Sequence, residues 1–171
     1  MRFFKFACLG AILLFAVQGR PLIADDRIVT EPVQLTAVDG VKLDGVLRRP
    51  LSTRKKVGFV MVHGYSGNFY SGVMSFLPAE LSNLGFATLA VNMRDHDRTP
   101  KNNLFEKNRD DIAAAVDEMT RRGYSPLFLY GHSMGTNRVL YYLAATQDPR
   151  IAGALLTGPP GNLFQWNVSI F

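Results

Sequence analysis

The stretch Leu127–Leu140, LFLYGHSMGTNRVL, joins an apolar run to a helix-like segment through a Gly-x-Ser-x-Gly motif. An apolar run ending in glycine is typical of a buried strand, and the spacing after the serine predicts a helix. Gly131 and Gly135 permit a sharp turn that holds Ser133 in a strained conformation above the edge of a sheet. The stretch therefore predicts a serine nucleophile. The alternative is an ordinary strand-to-helix turn in which Ser133 caps the helix.

Two backbone amides near this serine are candidates for an oxyanion hole. The Met134 N–H lies at the start of the predicted helix, where the partial positive charge favours a bound oxyanion. The second candidate follows the apolar run KKVGFVMV, in the loop sequence HGYSGN. There Gly64 lets the backbone turn, and the Tyr65 N–H is the expected second donor.

Short apolar runs alternate with helical patterns through the rest of the chain. The segment 33–50 contains two β-rich runs around Asp39-Gly40, a dipeptide that predicts a hairpin. The alternation after that hairpin predicts a single α/β domain with a mostly parallel sheet and helices on both faces. Further strands are expected in the segments 55–64, 87–94, 126–131 and 151–158.

The clearest predicted helix is NRDDIAAAVDEMTRRGY, residues 108–124. Its apolar side chains recur at helical spacing, acids come early, and arginines with a glycine come late. Another helical pattern covers 72–86, where Pro78 indicates either a first-turn proline or a kink. In the predicted helix 108–124, the expected buried face consists of Ile112, Ala115, Val116 and Met119.

Residues 1–24 are predicted to be a secretory signal peptide. Arg2 and Lys5 precede an apolar run over 6–17, which is short for a membrane span. We therefore expect an exported protein, periplasmic or secreted, with no stable membrane span after signal removal. An uncleaved membrane anchor is the alternative.

Removal of this segment also changes the charge and the cysteine content. The formal net charge is +5, but Arg2, Lys5 and Arg20 all precede Asp25, so removal leaves 16 basic and 14 acidic residues, or +2. That balance gives little support to a nucleic-acid partner. The single cysteine, Cys8, lies in the apolar run, and the sequence shows no metal-ligand spacing. We expect no metal and no cofactor.

Three loop sequences, in this order, resemble those of the α/β-hydrolase fold superfamily. They are VMVHGYSGN, LAVNMRDHD and LYGHSMG, and the resemblance extends over 33–161. It implies a serine hydrolase of esterase, lipase or peptidase type, with an acyl-enzyme on Ser133 and a small-molecule ester or amide substrate. The loop NMRDHD departs from the commoner Arg-Gly-x-Gly form, so no role is carried over to it.

The resemblance also implies an acid and then a histidine after the serine. No histidine follows His132, and the only acid after Ser133 is Asp148, expected in a turn at a helix end. His63 is expected to be structural, and His96, beside two carboxylates, is the alternative base.

We therefore expect residues 25–171 to be an incomplete hydrolase domain, truncated after about the sixth strand, with a cap or lid starting near 159–171. Such a chain by itself is expected to be nearly inactive, because removing the base alone costs about 10⁶ in turnover. Two competing hypotheses are a non-catalytic binding protein of the same fold and an acyltransferase on the same scaffold.

Overall fold

The computed structural model describes residues 27–52, 55–97 and 104–161. The expected signal peptide and most of the expected cap segment lie outside these ranges. Within them the chain forms one six-stranded sheet, three α-helices and two 3₁₀ turns. The strands are β1 Ile28–Thr36, β2 Lys42–Pro50, β3 Gly58–Val62, β4 Ala87–Val91, β5 Leu127–His132 and β6 Ile151–Thr157; the α-helices are α1 Leu77–Asn83, α2 Asn108–Arg121 and α3 Met134–Thr146; the 3₁₀ turns are Gly72–Ser75 and Phe105–Lys107.

The strands are ordered β1-β2-β4-β3-β5-β6 across the sheet. Strand β3 lies at the centre, parallel to β4 on one side and to β5 on the other, and β6 extends the parallel part beyond β5. Strands β1 and β2 form an antiparallel hairpin that joins the sheet at β4. The prediction of a mostly parallel α/β sheet is confirmed.

Burial along the strands explains the two kinds of sequence pattern. Every residue of β3 and β4 is buried, as expected for central strands with both faces covered. In the hairpin, buried residues alternate with more exposed ones, because only one face packs on the core. The predicted turn falls at Asp39-Gly40, where Gly40 adopts a φ of +85°.

Helices cover both faces of the sheet. Helices α2 and α3 bury Ile112, Val116 and Val139 in one core cluster, while Met74 and α1 pack on the other face. Pro78 lies in the first turn of α1, so the alternative of a kink is not realised. No helix in the described ranges is long and apolar enough to cross a membrane.

This topology positions the candidate site. The carboxyl ends of the parallel strands β3, β4 and β5 meet at one edge of the sheet, where the loops of an α/β fold bind ligands. The loops that begin at His63, Asn92 and Ser133 all leave from that edge.

Candidate active site

The turn at Ser133 has the strained geometry of a nucleophile elbow. Ser133 lies between the last residue of β5 and the first residue of α3, with φ 53° and ψ −125°. Such a conformation is rare for a residue with a side chain, and strained backbone of this kind concentrates at functional sites. Ser133 makes no side-chain capping hydrogen bond to α3, so a capping role does not account for the serine.

Two glycines make this turn possible. A methyl group at Gly131 would lie 2.6 Å from the Gly135 carbonyl oxygen, and one at Gly135 would overlap the Val62 carbonyl oxygen. Both neighbours are backbone atoms, which cannot rotate away as a side chain can. The start of α3 therefore packs directly against the end of β3, and only glycine fits at these two positions.

The loop after β3 lies against the serine. A methyl group at Gly64 would be 3.0 Å from Ser133 Cβ and 3.4 Å from Ser133 Oγ. Gly64, Tyr65 and Ser133 line one open pocket of about 210 Å³, which the segment Ser71–Met74 also lines. Met134 begins α3 immediately after the serine. The structure thus brings together all six residues singled out from the sequence: Gly64, Tyr65, Gly131, Ser133, Met134 and Gly135.

The side chain of His63 is part of the loop framework. Its Nδ1 lies 2.7 Å from the Gly64 carbonyl oxygen, and its Nε2 accepts a 3.0 Å hydrogen bond from the Met93 N–H. These partners require the neutral ring with a proton on Nδ1. Burial, aided by the nearby Arg138 guanidinium, lowers the pKa of His63 to about 4. With both ring nitrogens engaged, His63 is not placed to take a proton from Ser133.

The two other histidines, His96 and His132, and the acid Asp148 lie at three different places in the fold. His96 Nδ1 lies 2.9 Å from the Met93 carbonyl oxygen, in the loop after β4. His132 Nδ1 lies 3.2 Å from Thr157 Oγ1, although its ring also borders the pocket. Asp148 occupies the turn between α3 and β6, as expected, at the opposite end of the sheet from Ser133.

The sequence reasoning missed an ion pair beneath the site. Arg138 of α3 is 1% exposed, and its guanidinium donates to both carboxylate oxygens of Asp95 at 2.8 and 2.7 Å. It also donates to the His63 carbonyl oxygen at 3.2 Å. One signal existed in the sequence, since Arg138 falls at helical spacing with Gly135 and Tyr142 on what proved to be the buried face of α3.

The loops after β3 and β4 are also joined to each other. The Asn68 side chain donates to Asp97 at 2.5 Å, the Asp97 N–H donates to the Gly67 carbonyl at 3.1 Å, and the Phe69 N–H donates to Asn92 Oδ1 at 2.9 Å. The NMRDHD loop departs from the common pattern of the superfamily. Its hydrogen bonds hold it against the loop after β3 at this edge of the sheet.

Comparison with known proteins identifies the family. The family model for serine aminopeptidase, S33, matches residues 53–166, about two thirds of the chain. This chain belongs to that family of α/β-hydrolases, so the superfamily resemblance is confirmed. No curated protein matches the sequence.

Solved structures agree on the fold. The Pyrococcus furiosus esterase Pf2001 has a TM-score of 0.68 at 22% identity, over 82% of this chain and 56% of that one. Brefeldin A esterase, a bacterial homologue of human hormone-sensitive lipase, has a TM-score of 0.65 at 23% identity, over 78% and 40%. The α/β hydrolase GrgF from Penicillium sp. sh18 has a TM-score of 0.64 at 20% identity, over 77% and 46%.

The chain spans about half the length of these structures. At such identities they show the fold. The chain is therefore similar in architecture to esterases and other hydrolases.

Proposed function

We propose that this protein is a serine hydrolase that cleaves an ester or amide of a small molecule through an acyl-enzyme on Ser133. The single observation that carries the proposal is the placement of Ser133 at φ 53° between β5 and α3, with the Gly64 backbone against its side chain. A hydroxyl raised on a strained turn, near the amides of Tyr65 in a loop and Met134 at a helix start, is suited to attack on a carbonyl.

The proposed reaction has two steps. The Ser133 hydroxyl adds to the substrate carbonyl as its proton passes to a general base, and the Tyr65 and Met134 N–H groups bind the resulting oxyanion. Collapse of this intermediate expels the alcohol or amine, which takes the proton from the base. Water then attacks the acyl-enzyme with the help of the same base, which releases the carboxylic acid and restores the serine.

The base and its orienting acid are proposed to be missing from this chain and to come from a further part of the full-length protein, since the three histidines of the chain are His63, His96 and His132. Three placements support this: His63 has both ring nitrogens engaged, His96 lies in the loop after β4, and Asp148 lies at the far end of the sheet. A serine needs such a base, since its hydroxyl is a weak nucleophile at neutral pH.

Labelling of the full-length protein with a fluorophosphonate, combined with turnover of a short activated ester, tests this function. Wild-type protein should be labelled at Ser133 and should hydrolyse the ester, and Ser133→Ala should lose both properties. A folded wild-type protein that is neither labelled nor active would refute catalysis and favour a binding protein. Faster ester consumption with an added alcohol, yielding the new ester, would identify an acyltransferase.

The proposed location is outside the cytoplasm, after removal of residues 1–24. It is supported by the charged start and short apolar run of that segment. Mass spectrometry of the extracytoplasmic protein should find a new N-terminus near residue 20 or 25. Recovery of an intact Met1 would instead support an anchored or cytoplasmic protein.

A further inference from the structure

We propose that Arg138 and Asp95 are positioning residues for the oxyanion hole, acting by clamping the loops after β3 and β4 to helix α3, which begins directly after Ser133. The proposal rests on the proposed function, because the oxyanion hole has a catalytic meaning only if Ser133 is a nucleophile. Neither residue lines the pocket that Ser133 borders.

The clamp begins with a rigid connection to the nucleophile. Arg138 lies in the second turn of α3, and the helix starts at the residue after Ser133. The same helix is pressed against β3, since a methyl group at Gly135 would also lie 2.7 Å from the His63 carbonyl oxygen. The backbone at Arg138 is therefore held in place relative to Ser133 by one continuous helix.

The guanidinium reaches two loops from that position. One terminal nitrogen donates to the His63 carbonyl oxygen at 3.2 Å, directly before Gly64 and Tyr65. The other donates to both oxygens of Asp95 in the loop after β4. A planar guanidinium can hold two acceptors in a fixed geometry, whereas a lysine ammonium is a point charge without that fork.

For stability alone, the buried Arg138–Asp95 ion pair is less favourable than an apolar pair of similar volume. Burying a guanidinium carries a desolvation penalty that a well-packed apolar pair would avoid. Arg138 is almost fully buried, and its Nε has no hydrogen-bond partner among the described residues. What the pair adds, and an apolar pair of the same volume would not, is a directed contact to the His63 carbonyl oxygen, one peptide group before the one that contains the Tyr65 N–H.

The consequence is specific for the transition state. A donor in an oxyanion hole must meet the oxygen where its charge develops, and a misplacement of about 1 Å can cost about 10² in rate. Loss of the clamp should therefore lower kcat and leave KM nearly unchanged. A general loss of structure would instead lower the amount of folded enzyme and affect protection throughout the domain.

The test uses the full-length protein and four variants: Arg138→Met, Arg138→Lys, Asp95→Asn and the double variant Arg138→Met with Asp95→Asn. The control is Arg121→Met, which removes an exposed arginine paired with Glu118 at the end of α2. Ester turnover gives kcat and KM, and amide hydrogen exchange compares the segment 63–67 with α2.

Arg138→Met should lower kcat about 10²-fold with KM within about threefold of wild type, and should speed exchange at 63–67 but not in α2. Arg138→Lys should recover only part of kcat. The double variant should be no worse than Arg138→Met, because the two residues act as one unit. The control should match wild type.

The proposal is overturned if folded Arg138→Met keeps kcat within threefold of wild type with unchanged exchange at 63–67. It is also overturned if exchange rises equally in both segments. If Arg138→Met does not fold, Arg138→Lys carries the same two readouts. A wild-type enzyme whose turnover does not depend on Ser133 refutes the proposed function separately, and the exchange comparison then decides whether the clamp holds the loop.

Discussion

The two ends of the same parallel sheet use similar chemical groups in different ways. At the amino end, Gln147 has φ 48° and ψ 38°, which is the ordinary left-handed cap of a helix, and its N–H closes α3 onto Leu143. At the carboxyl end, Ser133 also has a positive φ, but its ψ of −125° lies outside that left-handed well. The Gln147 conformation closes a helix through a backbone hydrogen bond. The Ser133 conformation is accompanied by no capping hydrogen bond from the serine side chain.

The charged groups differ in the same way. At the amino end, Asp148 pairs with Arg150 two residues away, and the hydrogen bonds from Arg150 hold the pKa of Asp148 well below its usual range, with a further contribution from the Tyr142 hydroxyl. At the carboxyl end, Arg138 pairs with Asp95 from a different strand-loop unit. The Asp148–Arg150 pair closes a turn, and Arg150 also reaches Asp117 of α2, whereas the Arg138–Asp95 pair joins α3 to the loop after β4.

The largest expected effect contrasts Ser133 with Asp148. Ser133→Ala should reduce turnover by the full-length protein about 10⁶-fold, because the substitution removes the proposed nucleophile. Asp148→Asn should leave kcat within about threefold, since Asp148 lies at the opposite end of the sheet. Steady-state ester turnover by both purified variants measures the difference. A loss in Asp148→Asn comparable to that in Ser133→Ala would mean that the two ends are coupled in a way the structure does not show.

The contrast between the two ends also indicates how far the sequence predicts this molecule. Strands and helices follow from local patterns: apolar runs predicted the strands β3 and β4, and Asp39-Gly40 predicted the hairpin. The residues near Ser133 were predicted from motifs. Where two backbone segments pack closely, only glycine fits, and such glycines are visible in the sequence. The Asp95–Arg138 clamp was not predicted, since its members are 43 positions apart and pair only after α3 packs beside the loops that follow β3 and β4.

A second expected effect contrasts two glycines. Gly135→Ala should lower the free energy of unfolding by about 3 kcal/mol, because the added methyl overlaps backbone oxygens of β3. Gly123→Ala should cost about 1 kcal/mol, because its φ is +83° but the space around it is open. Urea unfolding of the two variants gives both values. Equal losses would show that the close approach of α3 to β3 is not the constraint at Gly135.

A third effect is a pH dependence of stability that arises from His63. The folded-state pKa is lowered from 6.5 to about 4 by burial, so the unfolded chain binds more protons between those values. Stability contributed by the neutral ring is present above pH 6.5 and is lost as the pH falls toward 4, by about 3 kcal/mol at most. Urea unfolding from pH 7.5 to 4.5 measures this slope.

His63→Gln should flatten the slope over that range, while His132→Gln, which changes a less buried ring, should retain it. Acids whose pKa is held low, such as Glu31 beside Arg122, lose their contribution at lower pH, below about 4.5. An unchanged slope in His63→Gln would show that the His63 ring is protonated in the folded protein near pH 6.

The smallest expected effect concerns His96, the histidine that the sequence left open as an alternative base. Its Nδ1 is 2.9 Å from the Met93 carbonyl oxygen, and its Nε2 is 3.8 Å from the carboxylate of Asp97, the next residue in the chain. These contacts keep the ring in the loop after β4, so His96→Gln should change turnover by the full-length enzyme less than about threefold. A true general base contributes a factor of about 10² or more.

Turnover of His96→Gln, measured from pH 5 to 9 beside wild type, decides whether His96 is the base. If the variant turned over at least about 100-fold more slowly and also lost the acidic limb of the pH profile, His96 would be the base. Catalysis would then lie entirely within the loops of β3, β4 and β5, and the base would not be missing from this chain.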